Sequence, residues 1–491
     1  MKAAIIGSGF GGLALALRLS ISGFDVEVFE KNSIPGGKAS RFCENGFSFD
    51  TGPSLITMTF IIEKLFKDLG LNIEDYLELK RLDINCKYFF QDKSEFLAYS
   101  SVNEFVNEIR SKFGESENNI LGFLEYSKNI YSLTTDIFLF NSLHKLSTYF
   151  NKYAFRSLFN IKKIDMNRTM NSAIHEFFTN PKTHQLFNRY ATYNGSNPYK
   201  APATLNIIQY IENQLGAFIN KKGIYNIIEV LYSLALEKGI KFNFNTEVKR
   251  IILENNRVTG VLINEEIKRF DKIISNVDVN FTYRELLQDN ISSEAVRYSK
   301  MEPSSSALIF LWGIKGKYDQ LDIHNILFSE NYRAEFDELF NNHSVPADPT
   351  IYIYISSKFN KQDAPLNHEN WFVMINTPPN LNQNWEKIAN EFRKIIIKKI
   401  NTMLGIDLND KIAVEKVISP KDLELHTNSS FGSIYGIASN SKRTAFLRQR
   451  NKSNKYKDLF FVGGSAHPGG GIPLVLLSAD ITSRLIGKAE K

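Results

Sequence analysis

The residues with the clearest chemical purpose are glycines. Gly7-Ser8-Gly9-Phe10-Gly11-Gly12 spells G-x-G-x-x-G between an apolar run and a leucine-rich segment. In such a loop Gly7 allows a tight turn, Gly9 lets backbone approach a pyrophosphate, and Gly12 permits close packing of helix on strand. The helix start then offers free N–H groups and a partial positive charge to phosphate. Glu30 follows about twenty residues on, where a carboxylate can hydrogen-bond ribose hydroxyls, with Lys31 beside it. An acid at that point disfavours a phosphorylated ribose. Pro35-Gly36-Gly37-Lys38 adds a second glycine pair and a cation, which suits a loop lying along the pyrophosphate, although a solvated turn uses the same letters. Asp50-Thr51-Gly52-Pro53-Ser54 ends a short alternating strand at Phe47 and Phe49, and Gly52 would let backbone come close to a flat ring.

These residues need elements to hold them. Ala3 to Ile6 reads as a buried parallel strand, Leu13 to Leu19 as a helix ended by Gly23, and Val26 to Phe29 as a second buried strand. Helical patterns are expected to dominate from 61 to 174. Alternation returns near Phe242 and Phe244 and from Arg257 to Ile263, with Asn255-Asn256 as the turn. Further strands are expected at 272–276, 306–314, 349–356, 371–376 and 459–462, and helices at 385–404 and 472–488. The fold class is α/β: a discontinuous Rossmann-like dinucleotide domain (1–75, 226–290 and 416–491). An α+β substrate domain with a helical membrane-facing region is inserted as 76–225 and 291–415.

Composition narrows the classes. The 491 residues carry 59 Lys+Arg against 53 Asp+Glu, 43% hydrophobic residues and 23% charged ones, which excludes disordered and fibrous chains. The two cysteines, Cys43 and Cys86, argue against a disulfide-built scaffold and fit a reducing cytoplasm. The pI near 8.9 does not demand nucleic acid and is compatible with anionic lipid. The apolar start resembles a signal peptide, but Gly7, Gly9, Gly11, Gly12 and Arg18 interrupt it. No apolar run reaches ~18 residues, so a soluble protein or one lying on a membrane is expected. The histidines lack metal-ligand spacing and neither cysteine sits in a C-x-x-C pair, so no metal is expected. No Ser-His-Asp, Cys-His or paired-carboxylate constellation stands out.

Together, Glu30, Gly36-Gly37-Lys38 and Asp50-Thr51-Gly52-Pro53-Ser54 resemble the flavin amine oxidase and phytoene desaturase superfamily. The run Gly463-Gly464-Ser465-Ala466-His467-Pro468-Gly469-Gly470-Gly471-Ile472-Pro473 is similar to the signature of bacterial-type carotenoid desaturases. Ala191-Thr192-Tyr193, Ser196-Asn197-Pro198-Tyr199, Ser305-Ser306-Ala307-Leu308 and His324-Asn325-Ile326-Leu327-Phe328-Ser329 extend the likeness along the chain. The resemblance implies FAD as cofactor. By that likeness Val248, in Thr246-Glu247-Val248-Lys249-Arg250-Ile251, brings backbone to the adenine. Gly464 stands where many related flavoproteins carry an acid, so the ribityl contact must come from backbone, as in the carotenoid branch generally. Pro473 suits a first helical turn, and a helix beginning at Ile472 would stabilise a reduced flavin through its dipole. His467 is a weak candidate base, since a lone histidine beside Pro-Gly is more often structural.

The implied activity is FAD-dependent desaturation of a linear carotenoid. A hydrogen beside a polyene can leave as hydride to flavin N5, and a proton is then lost to a weak base or water. Gly463 to Pro468 and Glu369 to Asn376 look most like enzymes that desaturate 1-hydroxylated acyclic carotenoids at the 3,4 position. Phytoene desaturation is the close alternative, and flavin amine oxidase or a non-enzymatic prenyl-lipid escort protein the remote ones. The electron acceptor would be oxygen or quinone. Aromatic and basic residues alternate over 137–164, from Phe138, Phe140 and Lys145 through Tyr149, Phe150, Lys152, Tyr153, Phe155, Arg156 and Phe159 to Lys162 and Lys163. That pattern suits peripheral docking on the inner face of the cell membrane.

Overall fold

The computed structural model describes residues 1–142 and 160–490. Most of the expected interfacial segment, including Lys145, Tyr149, Phe150, Lys152, Tyr153, Phe155, Arg156 and Phe159, lies outside the described residues.

The apolar run at the N-terminus forms strand Lys2–Ile6, and the leucine-rich segment forms helix Phe10–Ile21. Residues Phe10 to Leu19 of that helix are all buried, which is why it is apolar on every side rather than striped, save for Arg18, which pairs with Asp68 and Asp480. It packs on helices Tyr225–Glu237 and Ile472–Ile486. A five-stranded sheet lies alongside in the order Lys241–Asn243, Asp25–Phe29, Lys2–Ile6, Lys272–Ser275, Leu459–Phe461, with every pairing parallel. Its strands come from widely separated stretches of sequence, and only Lys2–Ile6 and Asp25–Phe29 are local neighbours.

The second large sheet has seven strands in the order Ile412–Ile418, Ser306–Lys315, His368–Thr377, Ile351–Tyr354, His324–Leu327, Ile84–Phe89, Glu95–Tyr99. Trp312 and Trp371 are register partners on its far face, in one apolar cluster with Phe392, Ile396 and Ile400 of helix Trp385–Leu404. That helix matches its expected limits because both ends are signalled. The Asn384 side chain accepts the Lys387 N–H, and Gly405 ends the helix in the left-handed conformation.

Two expectations need correction. The region from 61 to 174 is not only helical: Leu79–Arg81, Ile84–Phe89 and Glu95–Tyr99 are strands. Ile84–Phe89 is buried on both faces of its sheet, so no period-two alternation marks it. Strand Ile412–Ile418 belongs to the seven-stranded sheet and runs across the boundary expected at 416. Among the described residues, no helix is long and apolar enough to cross a membrane.

Candidate functional site

A cavity of about 450 Å³ lies between the two sheets. At one end it is lined by the glycine turns, and at the other by the inner face of the seven-stranded sheet.

The glycine end is built almost wholly from backbone. Gly7 turns the chain out of the first strand with φ +96° while its N–H bonds the Phe29 carbonyl at 2.8 Å. Gly9 is extended at the start of helix Phe10–Ile21, where no side chain caps the helix. The Gly36 N–H donates to the Ser8 carbonyl at 3.0 Å, so the second glycine pair lies against the first. A Cβ on Gly12 would stand 2.1 Å from the Gly7 carbonyl oxygen, and one on Gly52 would stand 2.2 Å from that of Lys38. Glu30 is buried, and its two carboxylate oxygens are held apart in role. One accepts from the Ser8 N–H (2.9 Å) and hydroxyl (2.8 Å), the other from the Asn32 N–H (3.0 Å) and side-chain amide (2.8 Å).

Gly7, Gly9, Gly11, Glu30, Lys31, Gly37, Lys38, Gly52, Pro53, Ser54, Val248, Gly463, Gly464, Gly471, Ile472 and Pro473 all line this one cavity. Ser8 and Gly12 do not: Ser8 works through Glu30, and Gly12 lets helix and strand touch. Two lysines do something other than grip phosphate. The Lys38 ammonium donates to the Ser433 and Ile434 carbonyls, both at 2.7 Å, and pins that crossing segment over the cavity. Burial brings its pKa down to about 8, against a smaller opposing pull from Asp278. Lys31 donates to the Leu425 carbonyl and the Asn428 amide oxygen, and burial lowers its pKa despite Glu247 and Glu30.

His467 is not among the residues lining the cavity. Its Nε2 meets the Asn141 carbonyl at 3.0 Å, and burial lowers its pKa to about 4. It is a neutral tie between two segments, and its expected role as a base finds no support.

Sequence reasoning gave several residues no place in the site. Asn276, just after strand Lys272–Ser275, donates to the Gly7 carbonyl at 3.1 Å. Its amide oxygen would lie 2.7 Å from a Cβ on Gly11 and 2.8 Å from one on Gly463, so one side chain gauges two glycine turns. On the opposite wall Ile309, Met374, Tyr352 and Ile326 form one register row across the sheet, facing the cavity. Beyond that row Arg189 sits buried with Glu212 at 3.2 Å, its guanidinium stacked on Tyr88, Tyr190 and Tyr193. Tyr190 and Tyr193 both donate to Glu212. Segments separated in sequence, strands for the register row and short helices for Arg189 and Glu212, bring these positions together, so no local spacing marks their roles. Among the described residues, no group of three His, Cys, Asp or Glu could hold a metal.

The donor set fits a flavin dinucleotide. Two helix starts, at Phe10 and Ile472, open on the same cavity without side-chain caps and so present free N–H groups to it. Gly471, with φ +100°, has nothing within 4 Å of the place a Cβ would occupy. The wall there stays bare for a flat ligand.

A family model described as flavin-containing amine oxidoreductase matches residues 10–486. The chain is 46% identical over 488 residues to a 1-hydroxycarotenoid 3,4-desaturase from a Flavobacterium species, covering 99% of each. It is 32% identical to a 4,4'-diaponeurosporene oxygenase from Staphylococcus haemolyticus, covering all of this chain and 97% of that one. In fold it is similar to the crystal structure of an oxidoreductase from Methanosarcina mazei, with a TM-score of 0.68 at 16% identity over 98% of this chain and 99% of that one.

Proposed function

We propose, on the premise that this chain belongs to the flavin-containing amine oxidoreductase family, that it is an FAD-dependent carotenoid desaturase acting on a 1-hydroxylated acyclic chain at its 3,4 bond. The observation that carries this reading is the 46% identity to such a desaturase across nearly the whole length. The cavity agrees in kind: backbone glycines at one end and a wall of Ile309, Met374, Ile326 and Phe372 at the other.

Bound FAD supplies a hydride acceptor, which no amino-acid side chain can. The chain's own residues do the rest. The turn at Gly7 and Gly9 and the uncapped helix start would hold the diphosphate, Glu30 the ribose, and Val248 the adenine. The start of helix Ile472–Ile486 opens on the cavity, so its positive end would stabilise negative charge on a reduced ring. The apolar sheet face excludes water and holds a polyene chain in place.

The substrate is a lipid, so the chain meets it at the inner face of the cell membrane as a peripheral protein. The pI near 8.9 supports this, and liposome co-sedimentation tests it. The electron acceptor would be oxygen or a quinone. Expression in cells that accumulate either phytoene or a 1-hydroxylated acyclic carotenoid tests the substrate. A pigment shift in the second strain is expected, and a shift on phytoene alone would assign the chain to phytoene desaturation.

A further inference from the structure

The inner face of the seven-stranded sheet is apolar at Ile309, Met374, Ile326 and Phe372, yet polar groups break it: Asn376 at one side and, facing Ser54, a chain of hydrogen-bonded side chains. The Ser54 hydroxyl lies 2.5 Å from the Tyr352 hydroxyl, and that lies 2.8 Å from His324 Nδ1. Ser54 and Tyr352 line the cavity, whereas His324 is buried behind them. His324 Nε2 has no partner, so the chain of hydrogen bonds ends there. Burial lowers the histidine's pKa to about 3, so the imidazole is neutral and carries a single N–H.

That geometry leaves one opening. If Nδ1 carries the proton, it donates to Tyr352, Tyr352 donates to Ser54, and Ser54 has a proton to offer the cavity. If Nε2 carries it, Ser54 donates inward and keeps lone pairs for a donor in the cavity. Either tautomer therefore exposes one hydrogen-bonding position at Ser54, and the relay suits a partner that can both donate and accept. An alcohol is such a partner.

We propose that Ser54, Tyr352 and His324 form a relay that recognises the substrate's tertiary alcohol and so selects hydroxylated chains. The inference rests on the 3,4-desaturase reading and deepens it. In a 1-hydroxylated chain the oxygen lies only three covalent bonds from the nearer carbon of the 3,4 bond. The group that holds it must then stand beside the cofactor. Ser54 does, since it directly follows Gly52 and Pro53 of the glycine-end lining. The buried Arg189 and Glu212 pair is less well placed. Arg189 stacks on Tyr88, which lies two strands from Tyr352 across the sheet, a distance of ~10 Å at about 4.8 Å per strand.

The test uses the FAD-loaded chain with a 1-hydroxylated acyclic carotenoid and its counterpart lacking the hydroxyl. Wild type, Tyr352→Phe and Ser54→Ala are compared for kcat/KM and for binding, read from the shift of the carotenoid's visible absorption. Each variant removes one oxygen, and flavin absorbance checks that the cofactor is retained. Wild type should favour the hydroxylated substrate, and each variant should lower that preference ~10-fold or more in both readouts, since the remaining buried partner loses its hydrogen bond. A preference unchanged in both variants, or an equal fall on both substrates, overturns the relay and leaves the desaturase reading intact. Wild type acting only on the unhydroxylated chain overturns that reading, and the relay with it.

Discussion

The two walls of the cavity are built on opposite terms. The cofactor wall uses backbone: bare glycine turns, uncapped helix starts, and a carboxylate whose partners include main-chain N–H groups. The wall proposed to meet the substrate uses side chains on a sheet, with buried polar groups set in an apolar face. Backbone geometry accepts little change in side-chain size, whereas a side-chain wall can change ligand one residue at a time. On the proposed reading, the fold fixes the cofactor and leaves the substrate open to adjustment.

The comparison breaks most visibly on the substrate wall. Glu212→Leu strands the buried Arg189 cation, and a loss of about 3–5 kcal/mol is expected in denaturant unfolding. A loss under 1 kcal/mol would mean that this pair does not organise the wall. On the cofactor wall, Gly12→Ala puts a methyl 2.1 Å from the Gly7 oxygen. A cost of about 3 kcal/mol, or ~100-fold weaker FAD binding, should leave the purified protein colourless.

Two neutral histidines are buried outside the lining, His324 behind Tyr352 and His467 against the Asn141 carbonyl, and acid should find both. The pKa of His324 is lowered to about 3 and that of His467 to about 4, so the unfolded chain binds more protons than the folded one below pH 6.5. Their stabilising contribution is complete above pH 6.5 and declines as pH falls toward those values. His324→Gln and His467→Gln should each flatten the thermal-stability profile below pH 6.5, by up to ~1.4 kcal/mol per pH unit. A slope unchanged in both would show that other groups govern acid unfolding. The smallest effect is expected from Ser8→Ala, which removes one hydrogen bond to Glu30 but leaves the backbone N–H in place. About 1 kcal/mol, or ~5-fold in FAD affinity by titration, should be lost.

The same division governs what sequence discloses. The cofactor wall was legible because its glycines act locally: Gly7 to Gly12 join a strand and a helix adjacent in the chain, and Gly471 to Pro473 open a helix. Asn276 was missed because its work is done across space, between turns near residues 11 and 463. The substrate wall was illegible for the same reason. Tyr352 meets Ser54 across 298 positions, and Arg189 meets Glu212 across several short helices, where the family-like runs 191–193 and 196–199 did not mark the pair. Strand Ile84–Phe89 was hidden by burial on both faces. Lys38 shows a subtler limit: residue type announced a cation, but only packing showed that it clamps the 433–434 segment.

The order in which the parallel sheet is completed bears on biogenesis. A ribosome must pass residue 486 before Leu459–Phe461 can dock beside Lys272–Ser275 and helix Ile472–Ile486 can close the pocket. Nascent chains stalled or truncated upstream of that strand should not capture the vitamin-derived cofactor, however much of the N-terminal turn they display. Maturation thus waits for the 459–486 segment, and a cell short of riboflavin would accumulate empty apoprotein rather than half-loaded fragments.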